Sequence, residues 1–243
     1  MALRTAPMFL VACALGALAG CGAVAADAPV HEGRIVAQPM SWMGAAWLNR
    51  DTRQQEENTR VLFDLLSLKS GQNVCDIGVG SGYHAIPMAK AVAPGTVYGV
   101  DIQPEMLDLL ATAAKRARRS NVEGVLGQVD DTQLPPETCD RMLVVDAYHE
   151  FSHPVEMLTS MRKALKPDGR LYIVEFRAED PSVPIKPEHK MTKEQVTLEV
   201  ARAEVGLKLV GQDDRLPWQH VLVFQRDDGP EPEVGITPWH PSP

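Results

Sequence analysis

Six residues near the middle of the chain could do chemistry together: Asp76, Gly78, Gly80, Gly82, Asp101 and His149. In "VCDIGVGSGYHAIPMAK" (74–90) a hydrophobic run ends in Asp76, three glycines follow at alternate positions, and helical character begins. Strand, glycine turn and helix form the layout of a nucleotide-binding site. The dinucleotide fingerprint G-x-G-x-x-G fails here, because Tyr83 stands where its third glycine belongs. An acid at the end of the first strand also repels a pyrophosphate. It suits a ligand that carries positive charge.

Asp101 ends the next hydrophobic run, 25 residues after Asp76. A carboxylate there can accept both hydroxyls of a ribose. Asp101 alone is shared with nicotinamide enzymes; Asp76, G-x-G-x-G and Asp101 together favour S-adenosylmethionine, which bears an ammonium and a sulfonium and no phosphate. A third cluster lies in "DAYHEF" (146–151). His149 is the best general base there by intrinsic pKa, with Asp146 or Glu150 to orient it. The bland alternative is that His149 and Glu150 brace the helix that follows. His189, Trp218 and His220 are weaker candidates for the acceptor side.

The elements that would position these residues alternate. A helix over 47–68 precedes the strand "NVCDIG", and Pro87 should kink the helix that follows the glycines. "TVYGVD", the helix "PEMLDLLATAAKRARRS", "VEGVLG" and "RMLVVDAYHE" come next. Ser152 can cap the helix "HPVEMLTSMRKAL", and the strand "RLYIVEF" follows it. Thr192 and Gln195 have capping-box spacing for a last helix ending at Gly206. "LKLVGQDD" and "QHVLVFQR" then read as an antiparallel pair. Alternation of this kind means a parallel sheet with crossover helices, and a ligand at the carboxyl ends of its strands.

"CDIGVGSGYHA", "VYGVDIQPEML", "DRMLVVDAYHEFSHP" and "LKPDGRLYIVEF", in this order, resemble the successive motifs of class I S-adenosylmethionine-dependent methyltransferases. The look is nearest to small bacterial proteins of the ubiquinone-methyltransferase-like type. The resemblance implies an α/β, Rossmann-like fold: a seven-stranded, mostly parallel sheet of order 3-2-1-4-5-7-6, strand 7 antiparallel, with helices on both faces. It implies that Gly78, Gly80 and Gly82 let the backbone approach the methionine and ribose parts, and that Asp76 takes the ammonium. Asp101 would take the ribose and Ile102 lie against the adenine, with Gln128, Asp130 or Asp131 reaching the adenine amino group. It implies methyl transfer to a small-molecule acceptor. The alternative is a non-catalytic module that binds the same ligand.

The chain has 243 residues, 44% of them hydrophobic, and a net charge of −8. One domain with a sizeable core is expected, and the acidic balance argues against nucleic acid as a partner. Arg4 and the apolar run "MFLVACALGALAG" look like a signal peptide over 1–20, ending in the lipobox-like "LAGC", Leu18 to Cys21. A lipidated Cys21 would anchor the chain to a membrane at the cell envelope, facing the periplasm. A plain secretory signal cut near "AVAA" (23–26) would export the chain without an anchor, and a misassigned start would leave a cytoplasmic enzyme. Residues 21–45 read as a tether, 46–226 as the methyltransferase domain and 227–243 as a disordered Pro-rich tail. Cys75 and Cys139 are expected as free core thiols, because strands ending level would hold them ~16 Å apart. No CxxC or Cys/His spacing marks a metal site.

Overall fold

A computed structural model describes residues 30–230. The signal segment, Cys21 and the tail from 231 onward lie outside those residues. A small hairpin, β1 (Val30–His31) and β2 (Arg34–Ile35), opens the described chain. Three short helices follow: α1 (Ala45–Leu48), α2 (Arg53–Glu57) and α3 (Thr59–Leu66). The sheet and its helices then alternate: β3 (Val74–Ile77), α4 (Ala85–Val92), β4 (Val97–Asp101), α5 (Pro104–Ala117), β5 (Val122–Leu126) and β6 (Cys139–Val145). The chain closes with α6 (Pro154–Ala164), β7 (Leu165–Phe176), α7 (Lys193–Arg202), β8 (Leu207–Asp213) and β9 (Gln219–Arg226).

The large sheet has seven strands in the order β5-β4-β3-β6-β7-β9-β8. Counted from β3, this is the expected 3-2-1-4-5-7-6. β9 runs antiparallel to both neighbours, β7 and β8. β3 and β6 sit at the centre, side by side and parallel, where the strand order reverses. Both faces are covered by apolar packing. One holds Met142, Val144, Leu158, Met161 and Phe224; the other holds Leu62, Leu66, Met88, Val92 and Leu143. Two-sided burial explains why "RMLVV" and "RLYIVEF" read as continuous apolar runs rather than alternating ones.

Several local expectations change. The helix expected over 47–68 is three pieces, because Asn58 sits at φ +48° between α2 and α3. Asn58 is both the C-cap of one helix and the side-chain N-cap of the next. Pro87 does not kink α4. The helix begins only at Ala85, so Pro87 falls in the first turn, where its missing N–H has no partner to lose. His153, not Ser152, occupies the N-cap of α6, whose first residue is Pro154. The Thr192 cap is present, with Thr192 Oγ1 accepting from the Gln195 N–H at 3.0 Å.

Cys75 and Cys139 form a disulfide with their Cα atoms 5.8 Å apart, against the expectation of distant thiols. Cys75 pairs with Met142 across β3 and β6, so the offset to Cys139 is three residues rather than five. The register also shifts between Cys139 and Arg141. Asn73 O accepts from the N–H groups of both Asp140 and Arg141, which shows the strand doubling over at this point. The bulge shortens the advance per residue, and the estimate from straight strands fails.

The stretch 30–45, assigned to a tether by its composition, is folded onto the domain. Arg34 donates to both carboxylate oxygens of Glu199, at 2.6 and 3.2 Å, and to His149 O at 2.9 Å. Val36 and Ala37 are buried.

Candidate active site

A cavity of about 630 Å³ opens at the carboxyl ends of the central strands. Its size falls within the ~300–1,000 Å³ of small-molecule sites. Strand ends and the loops after them build its floor; residues 36–40 and 184–186 cover it.

One end is made by the glycine turn. Gly78, Gly80 and Gly82 all have positive φ, at 75°, 52° and 89°. At Gly78 a side chain would also meet Ala147 Cβ at 2.8 Å, so glycine keeps the ends of β3 and β6 close. Asp76 is 3% exposed, and its Oδ2 is buried with no hydrogen-bond partner. Burial raises its pKa to about 7; the Arg53 guanidinium opposes the rise and Asp101 adds to it. A buried carboxylate oxygen without a donor is costly unless a ligand supplies one. Asp101 is held by the Gly80 N–H on Oδ2 and the Gln103 N–H on Oδ1, each at 3.0 Å. Asp101 lines the cavity.

Ile102 and Gln128 also line the cavity, with Ile102 40% exposed as an apolar platform should be. Asp130 and Asp131 do not. They border a separate shallow cleft with Leu134 and Ser160. Asp131 Oδ1 is used internally, accepting from Ser160 Oγ at 2.7 Å and the Gln133 N–H at 2.8 Å. Of the three candidates for the adenine amino group, Gln128 alone lines the cavity.

The other end is made by the turn after β6. His149 is buried, and its Nδ1 lies 2.7 Å from Glu175 Oε2. Glu175 Oε1 accepts from the Tyr148 and His149 N–H groups at 2.9 and 3.3 Å, so the carboxylate is fixed. His149 Nε2 points the other way, 3.1 Å from His189 Nδ1 and 3.9 Å from Glu150 Oε1. Burial alone would lower the His149 pKa, but the Glu175 charge and hydrogen bond outweigh it and the net shift is upward. Burial lifts Glu150 to about 7.

Asp146, expected to orient His149, does not touch it. Asp146 sits at φ +49° and turns its carboxylate toward β9, where Gln219 Nε2 donates to Oδ2 at 2.7 Å. Burial, with Glu57 and Glu175 nearby, pushes its pKa well above the carboxylate range. The orienting acid is Glu175, at the end of β7. Its signal in the sequence was a charge inside an apolar strand, "RLYIVEF". His189 lines the cavity, while His220 is buried away from it, 3.7 Å from Glu179. Arg53, Tyr83 and the cover 36–40 were not foreseen. Arg53 lies over the Tyr83 ring at 4.1 Å and pairs with buried Glu57 at 2.7 Å.

A family model described as a methyltransferase domain matches residues 68–222, well over half of the chain. The chain belongs to that family, the class I S-adenosylmethionine-dependent methyltransferase domains. S-adenosylmethionine is the cofactor that this family and fold imply. The residues present fit it: the donor-less Asp76 oxygen suits an ammonium, Asp101 suits a ribose and Ile102 suits a flat base. A methyltransferase from Aquifex aeolicus described as SAM-dependent matches the fold with a TM-score of 0.71 at 22% identity, covering 76% of this chain and 98% of that one. The protein-L-isoaspartate O-methyltransferase of Methanothrix thermoacetophila is 33% identical over 114 residues, 46% of this chain and 51% of that protein. A ubiquinone/menaquinone biosynthesis C-methyltransferase of Pseudomonas putida is 31% identical over 119 residues, 48% of this chain and 46% of that protein. The chain spans about half the length of these curated relatives.

Proposed function

We propose that the chain transfers a methyl group from S-adenosylmethionine to a small acceptor bound beside His149. The observation that carries this is the shared cavity. Asp76, Gly78, Gly80, Asp101, His149 and His189 all line the same cavity. When bound, the cofactor supplies a methyl group on a sulfonium that leaves as a neutral thioether. The protein aligns and desolvates. Asp76 and Asp101 fix the donor, and the cover 36–40 with 184–186 excludes water around the acceptor. Glu175 holds the Nδ1–H of His149, so Nε2 is the atom that can take the proton an acceptor hydroxyl or ammonium gives up. A cavity of about 630 Å³ under a cover favours a small acceptor over a folded protein surface.

Calorimetry with S-adenosylhomocysteine and with NAD tests the donor. The former should bind and the latter not. Asp101→Ala should weaken S-adenosylhomocysteine by ~1.5–3 kcal/mol, because two ribose hydroxyls lose their acceptor. Unchanged affinity in a folded variant rejects the role given to Asp101.

The same proposal extends to the address. The lipobox-like "LAGC" supports an envelope lipoprotein, and the Cys75–Cys139 disulfide suits an oxidising compartment. Cys21→Ser should release the full-length protein from the membrane fraction and abolish labelling by radioactive palmitate. Equal label on both versions rejects lipidation.

A further inference from the structure

The sequence spacing gave no metal pattern, yet the fold brings three ligand types to one point. His149 Nε2, a Glu150 carboxylate oxygen and one ring nitrogen of His189 lie within 4.8 Å of one another. All three residues line the cavity. We propose that His149, Glu150 and His189 hold a divalent transition-metal ion there.

The geometry suits an ion. Two nitrogens each ~2.1 Å from one metal and roughly 90–110° apart are ~3.0–3.4 Å from each other. His149 Nε2 and His189 Nδ1 are 3.1 Å apart. Glu150 Oε1 is 3.9 Å from His149 Nε2, so its carboxylate must close by about 0.5–1 Å to reach the same centre. Its only bond to the cover is a long one, from the Met40 N–H at 3.3 Å. A small rotation is therefore cheap.

The surroundings suit an ion as well. A ligating histidine needs its other ring N–H held by an acceptor, which sets the tautomer and raises the basicity of the ligating nitrogen. Glu175 does this for His149 at 2.7 Å from a fully buried position. His149 and Glu150 come from the 3-10 turn Tyr148–Glu150, and His189 from the 3-10 turn Pro187–His189. An ion would thus tie the loop after β7, which covers the cavity, to the turn after β6.

Two imidazoles and one carboxylate leave coordination positions open, a set that suits zinc or ferrous iron rather than calcium or magnesium. All three ligands line the cavity, so an oxygen of the acceptor could take an open position. An acceptor hydroxyl so held would lose its proton near neutral pH, the task otherwise left to His149. That role rests on the methyl-transfer reading; the ion site itself does not.

The test uses the untagged full chain, solubilised in detergent and dialysed free of metal. Zn(II) is titrated by calorimetry, and Co(II) is followed by its visible absorption. The expected result is one equivalent bound. His189→Ala and Glu150→Gln should each weaken it at least 10-fold, and Glu175→Gln roughly 10–100-fold. His189 is half-buried, so its variant should fold; an unchanged thermal melt of the metal-free form checks this. Substoichiometric binding to the wild type, or wild-type affinity in both ligand variants, overturns the site. S-adenosylhomocysteine binding is measured on the same samples. If it is normal while the metal fails, only the metal site falls. If it fails while the metal binds, only the donor reading falls.

Discussion

Glu175 Oε2 stands 2.7 Å from His149 Nδ1, and neither residue is more than 3% exposed. Burial lowers a histidine pKa, and here the carboxylate wins. In the metal-free protein, the His149 imidazole should titrate above its usual ~6.5. Glu175→Gln removes the charge but keeps the size, so the titration should fall below that value. Proton NMR of the imidazole signals measures both. The sign for stability follows. A histidine with a raised folded pKa stabilises the fold below the unfolded pKa, and that gain is lost as pH rises through the folded pKa. Glu175→Gln should therefore cost more stability at pH 5.5 than at pH 8.5. Equal losses at both would mean that Glu175 only fills space.

Asp76 gives the same sign in a lower pH window. Its folded pKa is raised to about 7 from the carboxylate range, chiefly by burial. Between about pH 4 and pH 7 the folded state holds a proton that the unfolded state has released. Stability of the ligand-free protein should fall with pH across that window. A ligand ammonium needs the carboxylate ionised, so S-adenosylhomocysteine affinity should rise from pH 5.5 to pH 8. Asp76→Asn should flatten both trends and weaken binding at pH 8 by about 10-fold or more. A pH-independent affinity in the wild type would reject the contact between Asp76 and the ammonium.

That Asp76, the glycine turn and Asp101 meet at one cavity was legible because the signals are local. Asp76, three glycines and Asp101 sit on one strand-turn-helix-strand unit, and the chain order of those elements fixes where they meet. The strand order followed from the resemblance to a family, not from any local signal. The acceptor half was not legible. His149, Glu175 and His189 are each separated by at least a dozen residues, and only the pairing of β6 with β7 makes the first two neighbours. Asp146 is near His149 in sequence, but its left-handed backbone turns it toward Gln219. The cover 36–40 was invisible for another reason. Its composition is that of a linker, and what holds it are bonds to distant residues, Ala37 N–H to His149 O and Gln103 Nε2 to Met40 O, with Arg34 just before it paired to Glu199, 165 residues away.

That pair makes a prediction of its own. Arg34 holds Glu199, whose side chain is fully buried. Removing one partner of a buried pair leaves an uncompensated charge. Gln195 Nε2 still donates to Glu199 Oε1 at 2.8 Å, which softens the loss. Arg34→Ala should cost about 2–4 kcal/mol in denaturant melts. It should also weaken S-adenosylhomocysteine binding, because Arg34 Nη1 and the Ala37 N–H both bond His149 O and so hold the cover down. Full stability in Arg34→Ala would show that the cover contributes nothing to the fold.

The disulfide joins β3 and β6, the two strands that flank the point where the sheet order reverses. It closes a loop of 64 residues. By the chain-entropy relation, a loop of that length is worth about 4 kcal/mol, chiefly by restricting the unfolded chain. Cys75 and Cys139 are both fully buried, so a serine in place of either adds an unpaired hydroxyl to the core. The double variant Cys75→Ala, Cys139→Ala avoids that second effect and isolates the cross-link. It should lose about 2–5 kcal/mol of stability, and most of the loss should be reproduced by reducing the wild type under denaturing conditions. Asp76 and the glycine turn follow Cys75 directly, so the native register of β3 on β6 also sets the donor site. If the cross-link acts only on the unfolded chain, folded double variant should bind S-adenosylhomocysteine as the wild type does. A large loss of affinity in the folded variant would instead show that the bond holds Asp76 in place against β6.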